Sequence, residues 1–235
     1  MKIFPENVST YGQEIDDLFW LILVFVVIAF VISLFVLFYP LVKNNHKKVK
    51  RATYFTGESK KQFRWITVSL VILAMSDFVI LLAEHGTWEK IENIPMKNDL
   101  HIGITGRQWN WIFSYPGPDG KLNTADDVVI DEQNSELHIP VNKNIVFELR
   151  SRDVLHSLFI INTRLKQDVI PGRMNTRWVN ITKEGKYDIT CAEICGVLHS
   201  KMRNFLVVES QQKYDRYIKA LYEKNSPKLS MNNNQ

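Results

Sequence analysis

The order of apolar and polar positions divides the chain into two parts with different periods. From Leu18 to Val42 there is no charged residue. At about 1.5 Å per residue, the run LFWLILVFVVIAFVISLFVLFY is long enough to cross a hydrocarbon layer of about 30 Å. A second apolar run, Trp65–Ala83, is interrupted only by Asp77. Both runs predict transmembrane helices. A cleaved signal peptide fits the first run poorly, because the run is too long, its leading flank is acidic and no small-residue cleavage site follows. After residue 95 the helical period gives way to short apolar stretches punctuated by PGPDG, PVNKN, IPGR and KEGK. Strands are predicted over 101–115, 127–130, 135–140, 144–151, 156–161, 176–181, 187–191 and 205–210. Short strands at that spacing predict a β-sandwich or Greek-key barrel. Residues 211–224 read as an amphipathic helix, and NSPKLSMNNNQ as a disordered polar tail.

The pattern therefore divides the chain into an outer segment (1–17), a first transmembrane helix (18–42), a loop (43–64), a second transmembrane helix (65–83), an all-β soluble domain (84–210) and a C-terminal helix with its tail (211–235). Charge sharpens this picture. The net charge of +4 is local: the loop carries Lys43, Lys47, Lys48, Lys50, Arg51, Lys60, Lys61 and Arg64 against Glu58, whereas from residue 84 onward twenty basic residues face nineteen acidic ones. A nucleic-acid-binding domain would spread a basic face over its folded part, so the charge pattern speaks against that class. The positive-inside rule puts the loop in the cytoplasm and both chain ends outside, a two-helix transmembrane hairpin that delivers the soluble domain to the outer face. Asp77 costs a few kcal/mol in a helix centre unless it faces protein or water, so it is expected to point at a partner subunit. A packing hydrogen bond is favoured there over a proton relay, because no other polar residue follows it at helical spacing.

The chemistry is concentrated in CAEICGVLHSKM, residues 191–202. Cys191, Cys195, His199 and Met202 follow a C-x3-C-x3-H-x2-M spacing within one loop between predicted strands. Thiolate, imidazole and thioether form a soft donor set that suits copper rather than magnesium or calcium. His156, in RDVLHS on an earlier strand, is the natural source of one more imidazole. A Cys191–Cys195 disulfide would give His199 and Met202 no reason for their spacing, and a four-ligand zinc site would leave Met202 idle. A mononuclear blue-copper site needs one cysteine rather than two. Elsewhere, Asp119, Asn123, Asp126 and Asp127 surround glycines as a calcium loop would. EF-hand spacing and a terminal bidentate Glu are missing, and a plain surface turn is the favoured reading.

The loop, RDVLHS, the aromatic patch GRQWNW, and DVIPGRMN at 168–175 together resemble cytochrome c oxidase subunit II over roughly residues 15–210. The resemblance implies a cupredoxin-like Greek-key domain behind the hairpin, carrying a dinuclear copper A centre. On that likeness, Cys191 and Cys195 bridge two copper ions, His156 and His199 each cap one, and Met202 and the backbone carbonyl of Glu193 are weak axial ligands. The Glu193 side chain would reach a magnesium ion at the interface with the catalytic subunit I. Trp109 would be the point where electrons arrive from cytochrome c, and Asp153 matches one of the family's docking acids. The implied role is subunit II of a proton-translocating cytochrome c oxidase. The implied location is a bacterial plasma membrane with the copper domain in the periplasm, a mitochondrial inner membrane being the alternative.

This chain departs from the family pattern in three places. Arg107 stands where His is common before Gln108. Gln62 stands where an acid commonly opens a proton channel, which bears on this subunit's share in proton uptake. Arg150 and Arg152 flank Asp153 in a nearly neutral domain, so long-range steering of a basic cytochrome c would be weak. A tethered donor, such as a cytochrome domain within a larger respiratory assembly, is expected instead. The remaining readings are a copper-free quinol oxidase scaffold, against which the full donor set speaks, and the copper A subunit of a nitric oxide reductase. A nitrous oxide reductase fits the hairpin anchor less well.

Overall fold

The computed structural model describes residues 4–44, 47, 51, 56, 57, 59–97 and 99–232. Lys48, Lys50 and Glu58 of the basic loop, and the side chains of Lys61 and Gln62, lie outside the described residues. The chain separates into two compact units, the helical stretch Glu14–Glu89 and the remainder.

Helix α1 spans Gly12–Lys43 and α2 spans Lys60–Glu92. Both run past the apolar stretches. Bilayer thickness limits only the apolar part of a spanning helix, whereas helical hydrogen bonding continues into flanks of good helix formers such as Gln13, Glu14, Glu84 and Lys90. None of the best apolar window of either helix is buried within the chain. Two such fully exposed faces require a non-aqueous surrounding, and the chain is a membrane protein. Glu14, Asp17, Leu18 and Leu21 of α1 line one groove with Ala83 and Thr87 of α2, as an antiparallel hairpin requires. Asp77 is exposed on α2.

The second unit is a sandwich of two five-stranded sheets. One has the order β3(Val128–Ile130), β2(Asn110–Tyr115), β1(Leu100–Arg107), β5(Asn144–Ser151), β8(Asn175–Asn180). The other has the order β4(Glu136–Pro140), β10(Arg203–Glu209), β9(Gly185–Cys191), β6(His156–Ile160), β7(Leu165–Val169). The β1–β5 and β4–β10 pairs are parallel and the rest antiparallel, the crossed order of a Greek key. Alternate residues point inward, so Ile102 and Ile104 of β1, Leu206 and Val208 of β10, and Leu158 and Ile160 of β6 are buried. Trp111, Phe113, Tyr115 and Phe147 fill the space between the sheets.

Three expectations change. The stretch 101–115 is a hairpin rather than one strand: Arg107 pairs with Asn110 across a two-residue turn at Gln108 and Trp109. Trp109 therefore does not share a strand face with Trp111, which is fully buried. Strand β7 was not expected, because LKQDV is mostly polar; as an edge strand it buries only Leu165 and Val169. Helix α3 runs Gln211–Asn232 rather than stopping at Lys224. A helix satisfies its backbone internally and needs no apolar face to continue.

The segment before α1 belongs to the β unit. Val8 donates its N–H to Asn162 O and accepts from Thr182 N, and Ser9 forms a bridge with Ile181. Tyr11 is buried edge-on against Trp178 at 5.4 Å, and its hydroxyl donates to the Trp178 carbonyl.

Candidate metal centre

One end of the sandwich gathers the β1–β2 turn, the β5–β6 connection, the β7–β8 connection and the β9–β10 loop. Strand β6 begins at His156 and β9 ends at Cys191, and the two strands pair at Leu158 and Cys191. The sheet register thus brings two residues that are far apart in sequence to one spot. The β9–β10 loop is pinned on both sides, Ala192 donating to Ser157 O and Cys191 N donating to Met202 O. A single 3₁₀ turn, His199–Lys201, then aims His199 back toward the cysteines.

The donor atoms form a row. His156 Nδ1 lies 3.9 Å from Cys191 Sγ, Cys191 Sγ lies 3.8 Å from Cys195 Sγ, and Cys195 Sγ lies 3.7 Å from His199 Nδ1. Met202 Sδ is 3.8 Å from Cys195 Sγ, and the Glu193 carbonyl oxygen is 3.2 Å from Cys191 Sγ. Both cysteines are free thiols, too far apart for a bond. With metal–sulfur bonds of about 2.3 Å and metal–nitrogen bonds of about 2.0 Å, neighbouring donors at tetrahedral angles stand about 3.5–3.8 Å apart. The row has the spacing of side chains that share metal ions. His156, Cys191 and Cys195 form the one group of histidine, cysteine and acidic donors with that closeness among the described residues, and His199 falls outside it beyond Cys195.

Electrostatics agree with a cation site. Burial pushes the Cys191 thiol up, but hydrogen bonds with His156, the backbone at Ser157 and Glu193, and His199 bring it down to about 6. Cys195 is pushed up to about 12 by burial and by the neighbouring Cys191 thiolate. The pocket thus accommodates one thiolate unaided, and two side by side need positive charge between them. His156 is fully buried; burial works against its protonated form, yet its contacts with Cys191 and Asp153 raise its pKa overall.

A ring of contacts holds the row in place. Asp153 Oδ1 lies 2.8 Å from His156 Nε2 and accepts from Val154 N, while Oδ2 accepts from Gln108 N at 2.7 Å. Both carboxylate oxygens are therefore used internally. Asp153 thus holds His156 in orientation. Gln108 Nε2 donates to the Cys195 carbonyl at 2.6 Å, tying the β1–β2 turn to the metal loop. Gly196 has φ +130°, and a Cβ there would stand 2.9 Å from Gln108 Nε2 and 3.1 Å from Trp109 Nε1. Trp109 thus packs directly on the residue after Cys195, half-buried, with its indole N–H buried and without an acceptor. Gly106 gives the His156 ring its room, since a Cβ would meet that ring at 3.0 Å and Trp111 at 3.1 Å. Sequence reasoning missed Gly106, Gln108 and Gly196, although the i, i+3 spacing of Asp153 and His156 was a visible sign of their pairing.

Outside this end, the 119–127 turn closes on itself. Asp119 accepts from Lys121 N, Asp126 from Thr124 Oγ1, and Asp127 from Asn123 N. Its acids join no group of three or more closely spaced His, Cys, Asp and Glu donors among the described residues.

Comparisons with known proteins bear on the family. The sequence model described as "Cytochrome C oxidase subunit II, periplasmic domain" matches residues 100–211. The alternative cytochrome c oxidase subunit 2 of Bradyrhizobium diazoefficiens is 30% identical over 234 residues, covering 90% of this chain and 81% of that protein. Cytochrome c oxidase subunit 2 of Thermostichus vulcanus is 39% identical over 119 residues, covering 51% of this chain and 32% of that protein. Among solved structures, the periplasmic domain of subunit II (CoxB) of Bradyrhizobium japonicum is 29% identical, with a TM-score of 0.47, and covers 56% of this chain and 99% of that one. With nine-tenths of its length aligned to the Bradyrhizobium diazoefficiens protein, the chain belongs to the cytochrome c oxidase subunit II family.

Proposed function

We propose that this chain is the electron-accepting subunit of a membrane-bound cytochrome c oxidase, holding a dinuclear copper A centre and passing electrons to a haem-copper subunit I that reduces oxygen to water with proton translocation. The observation that carries this reading is the row His156, Cys191, Cys195, His199, whose adjacent donors are 3.7–3.9 Å apart and whose ends diverge. A single tetrahedral ion would need all four donors mutually close, whereas a longer row with two thiolates in the middle suits two ions. Copper bound there supplies a one-electron carrier whose geometry changes little on reduction.

The chain's own residues prepare that carrier. Cys191 and Cys195 would hold the copper through their sulfurs, with His156 and His199 as further ligands at the two ends of the row. Met202 and the Glu193 carbonyl approach from the sides. Asp153 fixes which nitrogen of His156 faces Cys191. Burial of Cys195, Met202 and His156 keeps water from the centre. Trp109, packed on Gly196, offers electrons from a cytochrome c or a tethered cytochrome domain a bonded route through the loop. The Glu193 carboxylate, half-buried beside Cys191, would be available to a magnesium ion at an interface with subunit I. The basic loop residues Lys43, Arg51, Lys60 and Arg64 support a cytoplasmic loop, and so a copper domain in the periplasm.

The test is to load the full chain in detergent with copper and record electron paramagnetic resonance. Hyperfine structure from one unpaired electron shared between two copper nuclei is the expected result. Binding of zinc alone, or a Cys191–Cys195 disulfide with no copper uptake, would overturn the reading.

A further inference from the structure

The surface around the metal row has an uneven charge balance. Its centre is apolar: Ile194 and Val197, on the loop between the ligands, are 82% and 91% exposed, and Leu198 and Leu155 join them at the edge. Three of the five acids at this end, Asp131, Asp153 and Asp188, are engaged by neighbouring groups. Asp131 pairs with Arg107 at 2.8 Å and accepts from Asn110 Nδ2. Asp153 is divided among His156, Val154 N and Gln108 N. Asp188 accepts from Arg203. Glu132 lines the groove beneath α3 with Tyr217 and Lys224. Glu193 is half-buried beside Cys191.

The bases are not engaged in the same way. Arg152, Arg173 and Lys201 are exposed on three of the connections that frame the apolar centre, and none has a carboxylate partner among the described residues. An apolar patch with a rim of unpaired positive charge repels a partner ringed by lysines and attracts one ringed by carboxylates. We propose that this face docks an electron donor with an acidic contact surface, a cytochrome domain whose apolar haem edge is surrounded by Asp and Glu side chains. The inference rests on the electron-accepting role and specifies the partner's chemistry. It makes the rim at Arg152 and Lys201 the selector among donors, and it explains why the acid at position 153 is free to serve His156.

The test uses the assembled oxidase, with stopped-flow measurement of copper-centre reduction by two soluble cytochromes c of similar potential, one acidic and one basic. Ionic strength is varied between about 0.01 M and 0.15 M, over which the screening length falls from about 30 Å to about 8 Å. The acidic donor is expected to react faster at low salt and to slow as salt rises. The double variant Arg152→Glu, Lys201→Glu is expected to slow it about tenfold at low salt and to speed the basic donor. A wild-type preference for the basic donor, or a double variant that leaves both rates unchanged, overturns the docking inference. Reduction by dithionite and the copper resonance are recorded on the same samples. If these are normal, such a result removes the docking inference alone. If the copper signal is absent from the wild type, the electron-accepting role and this proposal fail together.

Discussion

Asp153→Asn separates two roles that the sequence leaves superimposed. The carboxylate serves three donors, with Oδ1 facing His156 Nε2 and Val154 N and Oδ2 facing Gln108 N. An amide has one acceptor oxygen. With that oxygen in the Oδ1 position, the amide NH2 confronts the Gln108 N–H. In the reverse orientation it confronts Val154 N–H and the His156 ring. Either way at least one charge-assisted hydrogen bond is lost, at a cost of about 1.5–3 kcal/mol. If the loss falls on His156, copper affinity drops about 10–100-fold, the usual consequence of removing an outer partner of a metal-bound imidazole. The assay is copper retention against a graded chelator, alongside the resonance spectrum and the salt dependence of cytochrome oxidation. The expected result is weaker retention, with an unchanged salt slope once copper is replete. Unchanged retention with an altered salt slope would refute the reasoning and return Asp153 to the docking surface.

Trp109→Ala is expected to leave the copper spectrum intact and to slow cytochrome c oxidation at least about tenfold, equivalent to about 1.4 kcal/mol on the barrier. An unchanged rate would remove Trp109 from the electron route. Gly196→Ala forces a side chain into a backbone at φ +130° and within 2.9 Å of Gln108 Nε2, at a cost of about 1–3 kcal/mol. A lower melting temperature and a disturbed copper spectrum are expected, and a variant matching the wild type in both would show that the approach of the two loops is not required. Tyr11→Ala removes a buried ring packed on Trp178 together with its hydroxyl hydrogen bond, a loss of about 3–5 kcal/mol. Thermal unfolding of the soluble unit reads it directly, and an unshifted transition would mean that the N-terminal segment does not pack there.

The strongest signals in the sequence were those with their own period or spacing. The two long apolar runs specify helices because a single segment in hydrocarbon can satisfy its backbone only within itself. The C-x3-C-x3-H-x2-M loop gives its donor set because one loop must present every one of those side chains to one place. His156 was legible by chemistry alone, and the β6–β9 register then brought it beside Cys191. The β1–β2 turn was not legible. Neither Gln108 nor Trp109 is a usual hairpin residue, and the alternation of HIGITGRQWNWIFSY runs through the turn as if the strand continued. Strand β7 escaped for the opposite reason, since an edge strand buries too few side chains to alternate. The second role of Asp153 was not legible: only coordinates show that its two oxygens contact His156, Val154 N and Gln108 N.

The N-terminal segment ties these parts into one topology. Residues 7–12 lie along the Asn180–Thr182 end of the β unit, through hydrogen bonds at Val8 and Thr10 and the buried ring of Tyr11. The last turn of α2, from Lys90, already belongs to the same unit, and there Arg177 bonds Glu92 through two nitrogens at 2.9–3.0 Å. The chain thus enters α1 from the β unit and leaves α2 into it. Such a chain can cross the membrane only an even number of times, so both long helices must span it, or neither does. Their exposed apolar faces exclude the second case.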